Sequence, residues 1–149
     1  LELYRQIHDA VVLTLGDFGV RAVPFRIAGT ADVRVSEGKF LCFQRRTDED
    51  LIVSGYKVLG SAQRKTREAV LQHGSLLLRA SQFAPQLPGV GDLTARTISA
   101  EQVIEGLVPR LGARLGLTWQ LDVLRESERE RATAIESERF GSRNWMARH

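Results

Sequence analysis

Residues 55–64 read Gly-Tyr-Lys-Val-Leu-Gly-Ser-Ala-Gln-Arg, and the fold is predicted outward from this stretch. Apolar and β-branched residues stand on both sides of Ser54-Gly55, which predicts a hairpin with strands at 51–53 and from residue 56 onward. Lys57 is charged within an apolar strand, and the small residues that follow it allow a ligand to approach the backbone closely. The pattern indicates a binding strand. From spacing alone, an outward-facing lysine between two turn glycines is the more common explanation.

The segments next to this hairpin extend the sheet. A third strand is predicted over 70–78, after a turn at 66–69; a helix over 64–71 is the alternative that helical periodicity also permits. Upstream, the periodicity and the glycines predict, in order, a helix that ends near Phe18, a strand over 21–27 and a loop over 28–38.

The downstream half predicts mostly helices. It begins with an irregular connection over 81–95, which contains Pro and Gly, and a helix over 99–115 follows, opened by a capping box of Ser99 and Gln102. A strand over 118–123 and a charged helix over 127–140, opened by Ser127 and Glu130, complete the chain. This order predicts an α+β fold, in which a mostly antiparallel sheet is packed with helices and carries Lys57 on a central strand. Residues 1–149 are expected to form a single domain or part of one.

Composition narrows the functional classes. The 149 residues are 43% hydrophobic and 26% charged, which suits a globular domain with a real core. The net charge is +3 and the pI about 9.5, but basic residues are mixed with acidic ones, as in 126–131, so no nucleic-acid stripe is expected. Because Cys42 is the one cysteine, an intramolecular disulfide is excluded, and a reducing, cytoplasmic location is expected. No apolar run reaches membrane-spanning length, so no membrane association is predicted.

Three motifs in order carry a family resemblance. Residues 57–64 read Lys-Val-Leu-Gly-Ser-Ala-Gln-Arg, 71–78 read Leu-Gln-His-Gly-Ser-Leu-Leu-Leu, and 139–145 read Arg-Phe-Gly-Ser-Arg-Asn-Trp. Together they resemble the signature of the lipoate–protein ligase A/B family, over nearly the whole chain. The resemblance implies the catalytic fold that this family shares with biotin–protein ligases.

Within that family, the pair Cys42-Phe43 resembles the motif of the monomeric, cysteine-dependent octanoyltransferases, in the same register relative to Lys57. The resemblance implies an acyltransferase of protein lipoylation. Octanoyl would pass from acyl carrier protein to a Cys42 thioester and then to a lysine of a lipoyl domain or of the glycine-cleavage carrier. A thiolate exchanges readily with acyl thioesters, and a nearby ammonium favours the thiolate. A lone cysteine can instead be a small buried hydrophobe.

Three alternatives stay open: an ATP-dependent lipoate–protein ligase that needs ATP and Mg²⁺, an octanoyl amidotransferase between lipoyl domains, and a non-catalytic module that binds carrier proteins. Octanoyl transfer through Cys42 requires no cofactor. Arg45 and Arg46 stand after Cys-Phe, where relatives carry less basic residues, so the branch within the family stays open. They could contact an acidic carrier protein.

The resemblance assigns roles to further residues. Cys42 and Lys57 are the expected catalytic residues, and the expected substrate-binding residues are Gly60, Ser61, Ala62, His73, Gly74 and Ser75. His73 is expected to line the acyl pocket more readily than to transfer a proton, whereas His8 and His149 are expected at the surface. No Cys/His cluster has metal-ligand spacing, so no metal site is predicted.

One motif of the family has no counterpart in this sequence. Relatives carry an Arg-Arg-x-x-Gly-Gly motif earlier in the chain, and nothing in residues 1–149 matches it, since Thr47 and Asp48 follow Arg45-Arg46. The sequence is therefore expected to be the C-terminal part of a catalytic domain and to hold only part of the acyl pocket.

Overall fold

The computed structural model describes residues 2–28, 43 and 45–147. The chain divides into two compact units, Leu1–Leu117 and Thr118–His149. In the first unit the elements are, in order, helix α1 (Glu2–Asp17), strand β1 (Val23–Pro24), helix α2 (Phe25–Ala28), strands β2 (Leu51–Val53), β3 (Tyr56–Lys65) and β4 (Val70–Leu76), and helices α3 (Val90–Thr94) and α4 (Ala100–Leu115).

The four strands form one antiparallel sheet in the order β1-β2-β3-β4. The hairpin predicted at Ser54-Gly55 is confirmed. Both residues have positive φ, 49° and 86°, as the tight turn between two twisted strands requires. The turn at 66–69 is also confirmed, because the Thr66 amide donates to the Ala69 carbonyl at 2.8 Å. The alternative helix over 64–71 is wrong, and the predicted α+β fold class is confirmed.

A β-bulge interrupts the pairing of β2 with β3. Ile52 pairs with Lys57, but the preceding residue, Leu51, pairs with Leu59, so that Val58 is the extra residue on β3. The Val58 carbonyl still accepts a hydrogen bond, from the Leu77 amide at 2.8 Å. Because side chains alternate along a strand, one extra residue changes which neighbours share a face with Lys57.

Helices α1 and α4 cover one face of this sheet. Their apolar residues join those of β2 and β3 in the core, in which Val11, Leu15, Leu51, Val58 and Val103 are buried. Two ion pairs tie the helices together at the surface: Arg110 with Asp17 at 2.6 Å and Arg114 with Asp9 at 3.7 Å. The sheet therefore has one face closed by helices.

Two predictions in the first unit need correction. The strand expected over 21–27 is only Val23–Pro24, and α2 follows at once. Pro24 has no N–H to extend the ladder, and the Phe25 amide turns back to the Asp50 carbonyl at 2.8 Å. The connection expected over 81–95 contains α3, because the Asp92 carboxylate accepts the N–H groups of Gly89 and Ala80. The loop expected over 28–38 lies, beyond Ala28, outside the described residues.

The second unit consists of α5 (Glu126–Ile135), a π-helical turn (Glu136–Phe140) and α6 (Arg143–Met146). A charged helix that reaches Phe140 is confirmed. Its start is not the predicted Ser127 box, because the Glu128 carboxylate accepts the Arg125 N–H at 2.8 Å. The strand expected over 118–123 is wrong: this segment has no regular structure. The motif at 139–145 folds locally, with the Phe140 and Trp145 rings edge to face at 5.0 Å.

Among the residues that the structure describes, none belongs to a helix long and apolar enough to cross a membrane.

A glycine pair tests the packing at the start of α3. A Cβ on Gly89 would lie 2.2 Å from the Arg79 backbone nitrogen, whereas a Cβ on Gly16, in α1, meets nothing within 4 Å. Gly89→Ala should lower the free energy of unfolding by about 3 kcal/mol, since backbone must move. Gly16→Ala should leave it unchanged or raise it by about 0.5 kcal/mol. Urea denaturation of both variants measures this, and equal stabilities would contradict the packing of Gly89 against the chain after β4.

Candidate functional site

Lys57 forms an ion pair that is almost completely buried. Its Nζ lies 2.7 Å from an Asp50 carboxylate oxygen, and the two side chains are only 9% and 2% exposed. The ammonium also donates to the Arg45 carbonyl at 2.9 Å and lies 5.4 Å from the centre of the Phe43 ring. An outward-facing strand lysine is therefore the wrong description of Lys57.

Gly60 leaves space for the Lys57 side chain, which passes over the strand at this residue. A Cβ at this position would lie 2.7 Å from Lys57 Cε, 2.9 Å from Nζ and 3.4 Å from Asp50 Oδ1. Lys57 and Asp50 thus lie directly over Gly60, on the side where its side chain would project. Strict alternation would put Lys57 on the other face from Gly60, so the bulge at Val58 is what brings them together.

The lysine opens onto a cavity of about 320 Å³ at the exposed face of the sheet. Residues of β3 and β4 line it: the cross-strand pairs Gly60 with Ser75 and Ala62 with His73 share this face. Among the described residues, the lining consists of Phe43, Lys57, Gly60, Ser61, Ala62, His73, Gly74 and Ser75. All the site residues predicted from β3 and β4 therefore come together around one cavity, and Cys42 lies outside the described residues.

Gly74 keeps the two strands close at this point. A Cβ on Gly74 would lie 2.8 Å from the Gly60 carbonyl and 2.9 Å from Ser61 Oγ. Any side chain at position 74 would therefore push against both the backbone and the hydroxyl of β3. The glycine of the His-Gly-Ser motif has a packing role, whereas His73 and Ser75 present side chains on the cavity face.

The Ser61 side chain lies on the opposite face, toward α1. Its hydroxyl is 2.5 Å from His8 Nε2, and the His8 Nδ1 is 2.6 Å from the Glu49 carbonyl. The Tyr4 hydroxyl donates to the Ser61 carbonyl at 2.7 Å. The expectation of a surface His8 is wrong, because this residue is only 1% exposed; His149 lies outside the described residues.

Burial sets the charge state of these two α1 side chains. Desolvation lowers the pKa of His8 below its usual range, and the hydrogen bond to Glu49 and the nearby carboxylates of Asp50 and Asp9 offset it only in part. Desolvation likewise raises the pKa of Tyr4. Both groups are therefore uncharged at neutral pH, as hydrogen bonds in a poorly solvated place require.

Glu49, the neighbour of Asp50 in the segment before β2, forms two ion pairs with arginines of α1 and α2. Its carboxylate accepts from Arg5 at 2.7 Å and from Arg26 at 3.3 Å. Burial alone would raise the pKa of Glu49, but the hydrogen bonds and charges of the two arginines outweigh it and leave that pKa below its usual range. Glu49 is thus ionised and links α1, α2 and the segment that carries Asp50.

Sequence reasoning missed Asp50, His8 and Tyr4, and it named Phe43 only as part of the Cys-Phe motif. Only weak signals for them exist: Asp50 directly precedes an apolar strand, and Tyr4 and His8 stand four residues apart on a helix face that is otherwise apolar. Within the described ranges, no three His, Cys, Asp or Glu residues are grouped so that they could hold a metal ion.

Removal of the Asp50 charge tests how much this ion pair contributes to the stability of the fold. Asp50→Asn leaves the Lys57 ammonium in a mostly buried position without its carboxylate, and should lower the free energy of unfolding by roughly 3 kcal/mol. Asp48→Asn is the matched control, since Asp48 is an exposed neighbour and such changes stay within about 0.5 kcal/mol. Chemical denaturation compares the two variants. A loss no larger for Asp50→Asn than for Asp48→Asn would contradict a structural ion pair.

Comparisons with known proteins agree with the three motifs. The family model of the lipoyl protein ligase A/B catalytic domain matches residues 1–101. An octanoyltransferase LipM of Symbiobacterium thermophilum is 25% identical over 99% of this chain and 62% of its own length, and one of Geobacillus kaustophilus is 25% identical over 97% and 60%. The chain thus spans about 60% of the length of these relatives.

Solved structures share the fold at lower identity. A T. acidophilum protein described as a lipoate protein ligase, with bound lipoic acid, superimposes with a TM-score of 0.70 at 19% identity, over 97% of this chain and 57% of the other. A lipoate-protein ligase A bound with ATP gives a TM-score of 0.67 at 18% identity, with the same coverage. The resemblance seen in the motifs is therefore confirmed, and the chain belongs to the lipoyl protein ligase A/B catalytic domain family.

Proposed function

We propose that the protein is an octanoyltransferase of protein lipoylation that works through a thioester on Cys42. The observation that supports this most is the buried Lys57 ammonium at a cavity lined by both family motifs, in a chain whose curated relatives are named octanoyltransferases. The proposed donor is octanoyl-acyl carrier protein. The proposed acceptor is a lysine of a lipoyl domain or of the glycine-cleavage carrier.

The first step forms the acyl-enzyme. The Cys42 thiolate attacks the thioester carbonyl of the donor, and the carbonyl becomes an oxyanion. Collapse of the tetrahedral intermediate expels the thiolate of the donor, which takes up a proton, and leaves octanoyl on Cys42. Phe43 lines the Lys57 cavity and directly follows Cys42 in sequence. This supports Cys42 as the residue that supplies the nucleophile.

The second step transfers the acyl group. The neutral amine of the acceptor lysine attacks the Cys42 thioester, a second oxyanion forms, and its collapse releases the Cys42 thiolate and the amide after the nitrogen loses a proton. A deprotonated amine is required, because an ammonium has no electron pair for attack. No cofactor enters either step.

Lys57 is suited to stabilise both oxyanions. An ammonium has three N–H donors, and Asp50 and Arg45 accept two of them. The described residues offer no acceptor for the third N–H, and the cavity lies beside this ammonium, which supports a role for that N–H in binding an oxyanion there. Backbone N–H groups of Gly60, Ser61 and Ala62 are proposed as additional donors. Because Asp50 fixes the ammonium before substrate binds, little reorganisation is needed in the transition state.

The thioester intermediate gives the sharpest test. Full-length protein mixed with octanoyl-acyl carrier protein, without ATP, should gain the mass of one octanoyl group on the peptide that contains Cys42. Hydroxylamine should remove it, as it removes thioesters. Cys42→Ser should lose the adduct or form an oxygen ester more slowly, since a hydroxyl without an activating base is a poorer nucleophile. Intact-mass and peptide mass spectrometry measure both.

The ATP-dependent ligase is the opposite outcome of the same experiment. A Cys42→Ala protein that modifies its acceptor from free lipoate and ATP would overturn the thioester route and favour the ligase. A wild-type protein that binds carrier proteins yet modifies none under either condition would favour the non-catalytic module.

A lysine pair tests the role assigned to the ammonium. Lys57→Arg keeps the charge beside Asp50, so it should remain folded, but the planar guanidinium cannot reproduce the position of Nζ. Transfer should fall at least about a hundredfold, the usual effect of losing one oxyanion donor. Lys65→Arg, at the exposed end of the same strand, is the matched control and should transfer normally. Equal turnover by the two variants would exclude Lys57 from the chemistry.

A further inference from the structure

We infer that His8 is a positioning residue for the Lys57 site, which it holds from the opposite face of the sheet. This inference deepens the proposed octanoyl transfer and rests on it for its kinetic readout. His8 lies outside the cavity that contains Lys57, so its effect must pass through the backbone segments that it links.

The imidazole joins the two segments that fix the lysine. Its Nδ1 is 2.6 Å from the Glu49 carbonyl, and Glu49 directly precedes Asp50, the carboxylate that holds the ammonium. Its Nε2 is 2.5 Å from the Ser61 hydroxyl, and Ser61 directly follows Gly60, the residue under the lysine side chain. One buried ring thus sets the distance between both contact points of Lys57.

The hydrogen bonds determine the tautomer of His8. A carbonyl oxygen only accepts, so Nδ1 carries the proton that is donated to Glu49. Nε2 is then unprotonated and accepts the Ser61 O–H. The neutral ring satisfies both links. Tyr4, one turn earlier in α1, adds a parallel link through its hydroxyl to the Ser61 carbonyl, and its ring packs against His8 at 4.4 Å.

The charged groups around His8 define its response to acid. Tyr4 and Asp9 face it from α1, and Glu49 and Asp50 from the segment before β2. Asp9 is in turn paired with Arg114 of α4, and Asp50 with Lys57. Desolvation outweighs the carboxylates and lowers the pKa of His8. The unfolded chain therefore binds this proton more readily, and the stability contributed by neutral His8 is complete above about pH 6.5 and declines as the pH falls below that value.

The test compares variants that break one link each with a control from the same helix. In His8→Asn the amide nitrogen stands at about the place of Nδ1 and is expected to keep the link to Glu49 alone, and in His8→Gln the longer amide stands nearer the place of Nε2 and is expected to keep the link to Ser61 alone. Thr14→Ala is the control, since Thr14 is fully buried in α1 and its hydroxyl donates to Ala10 of the same helix, its one hydrogen-bond partner among the described residues. Tyr4→Phe removes the parallel link alone and serves if the His8 variants do not fold.

Two readouts separate positioning from general destabilisation. The sequence has three lysines, Lys39, Lys57 and Lys65, so peptide-mapped acetylation by acetic anhydride reports Lys57 against the exposed Lys65. In His8→Asn and His8→Gln, Lys57 should react several-fold faster relative to Lys65, and in Thr14→Ala it should not. With octanoyl-acyl carrier protein, kcat should fall about tenfold or more with little change in KM, because His8 does not line the Lys57 cavity.

The outcomes keep the two proposals apart. Unchanged Lys57 reactivity and kcat in the His8 variants, relative to Thr14→Ala, would overturn the positioning role even where the wild type transfers octanoyl. A wild type that transfers nothing would contradict the proposed function, while Lys57 reactivity would still decide the role of His8. The decline in the free energy of unfolding below about pH 6.5 should also be weaker in His8→Gln than in the wild type. The same decline in both proteins would show that groups other than His8 cause it.

Discussion

The site depends on the buried pair of Lys57 and Asp50. Both side chains are almost completely removed from water, and such a pair is favourable only when geometry is good and the remaining polar atoms are satisfied. Three features of the fold meet that requirement. The Thr47 amide donates to the same carboxylate at 2.7 Å, the Arg45 carbonyl accepts from the ammonium, and Gly60 leaves room above the strand. In the proposed transfer, a substrate oxyanion would therefore meet a cation whose position is already fixed.

The sequence predicted the parts of this arrangement that are local. A Ser-Gly pair between apolar runs is sufficient for the hairpin, because the turn conformation and the strand pattern agree. The motifs around Gly60 and His73 lie on adjacent strands of a hairpin, so their pairing follows once that turn is placed. The bulge at Val58 could not be predicted in this way. It depends on how β2 meets β3, and strict alternation would have placed Lys57 on the wrong face.

The residues that contact the site from distant segments of the chain could not be predicted from the sequence, for a related reason. Asp50 and His8 become important only because α1 packs behind β3 and brings residues from far apart in the chain together. A lone histidine on an apolar helix face carries no sign of its partner. The segment 118–123 shows the converse error, because alternation describes a strand only when another strand accepts its backbone hydrogen bonds. In the described part of that unit the regular elements are helical.

Strand β3 separates two environments, and this separation explains why one short motif contains both small and polar residues. On the exposed face the small residues Gly60 and Ala62 leave space above the strand, which the Lys57 side chain and the cavity occupy. On the other face Ser61 supplies a hydroxyl to a neutral, buried histidine. A polar group there is tolerated because it is hydrogen-bonded. Rigidity on the helix side and open space on the cavity side thus come from consecutive residues of one strand.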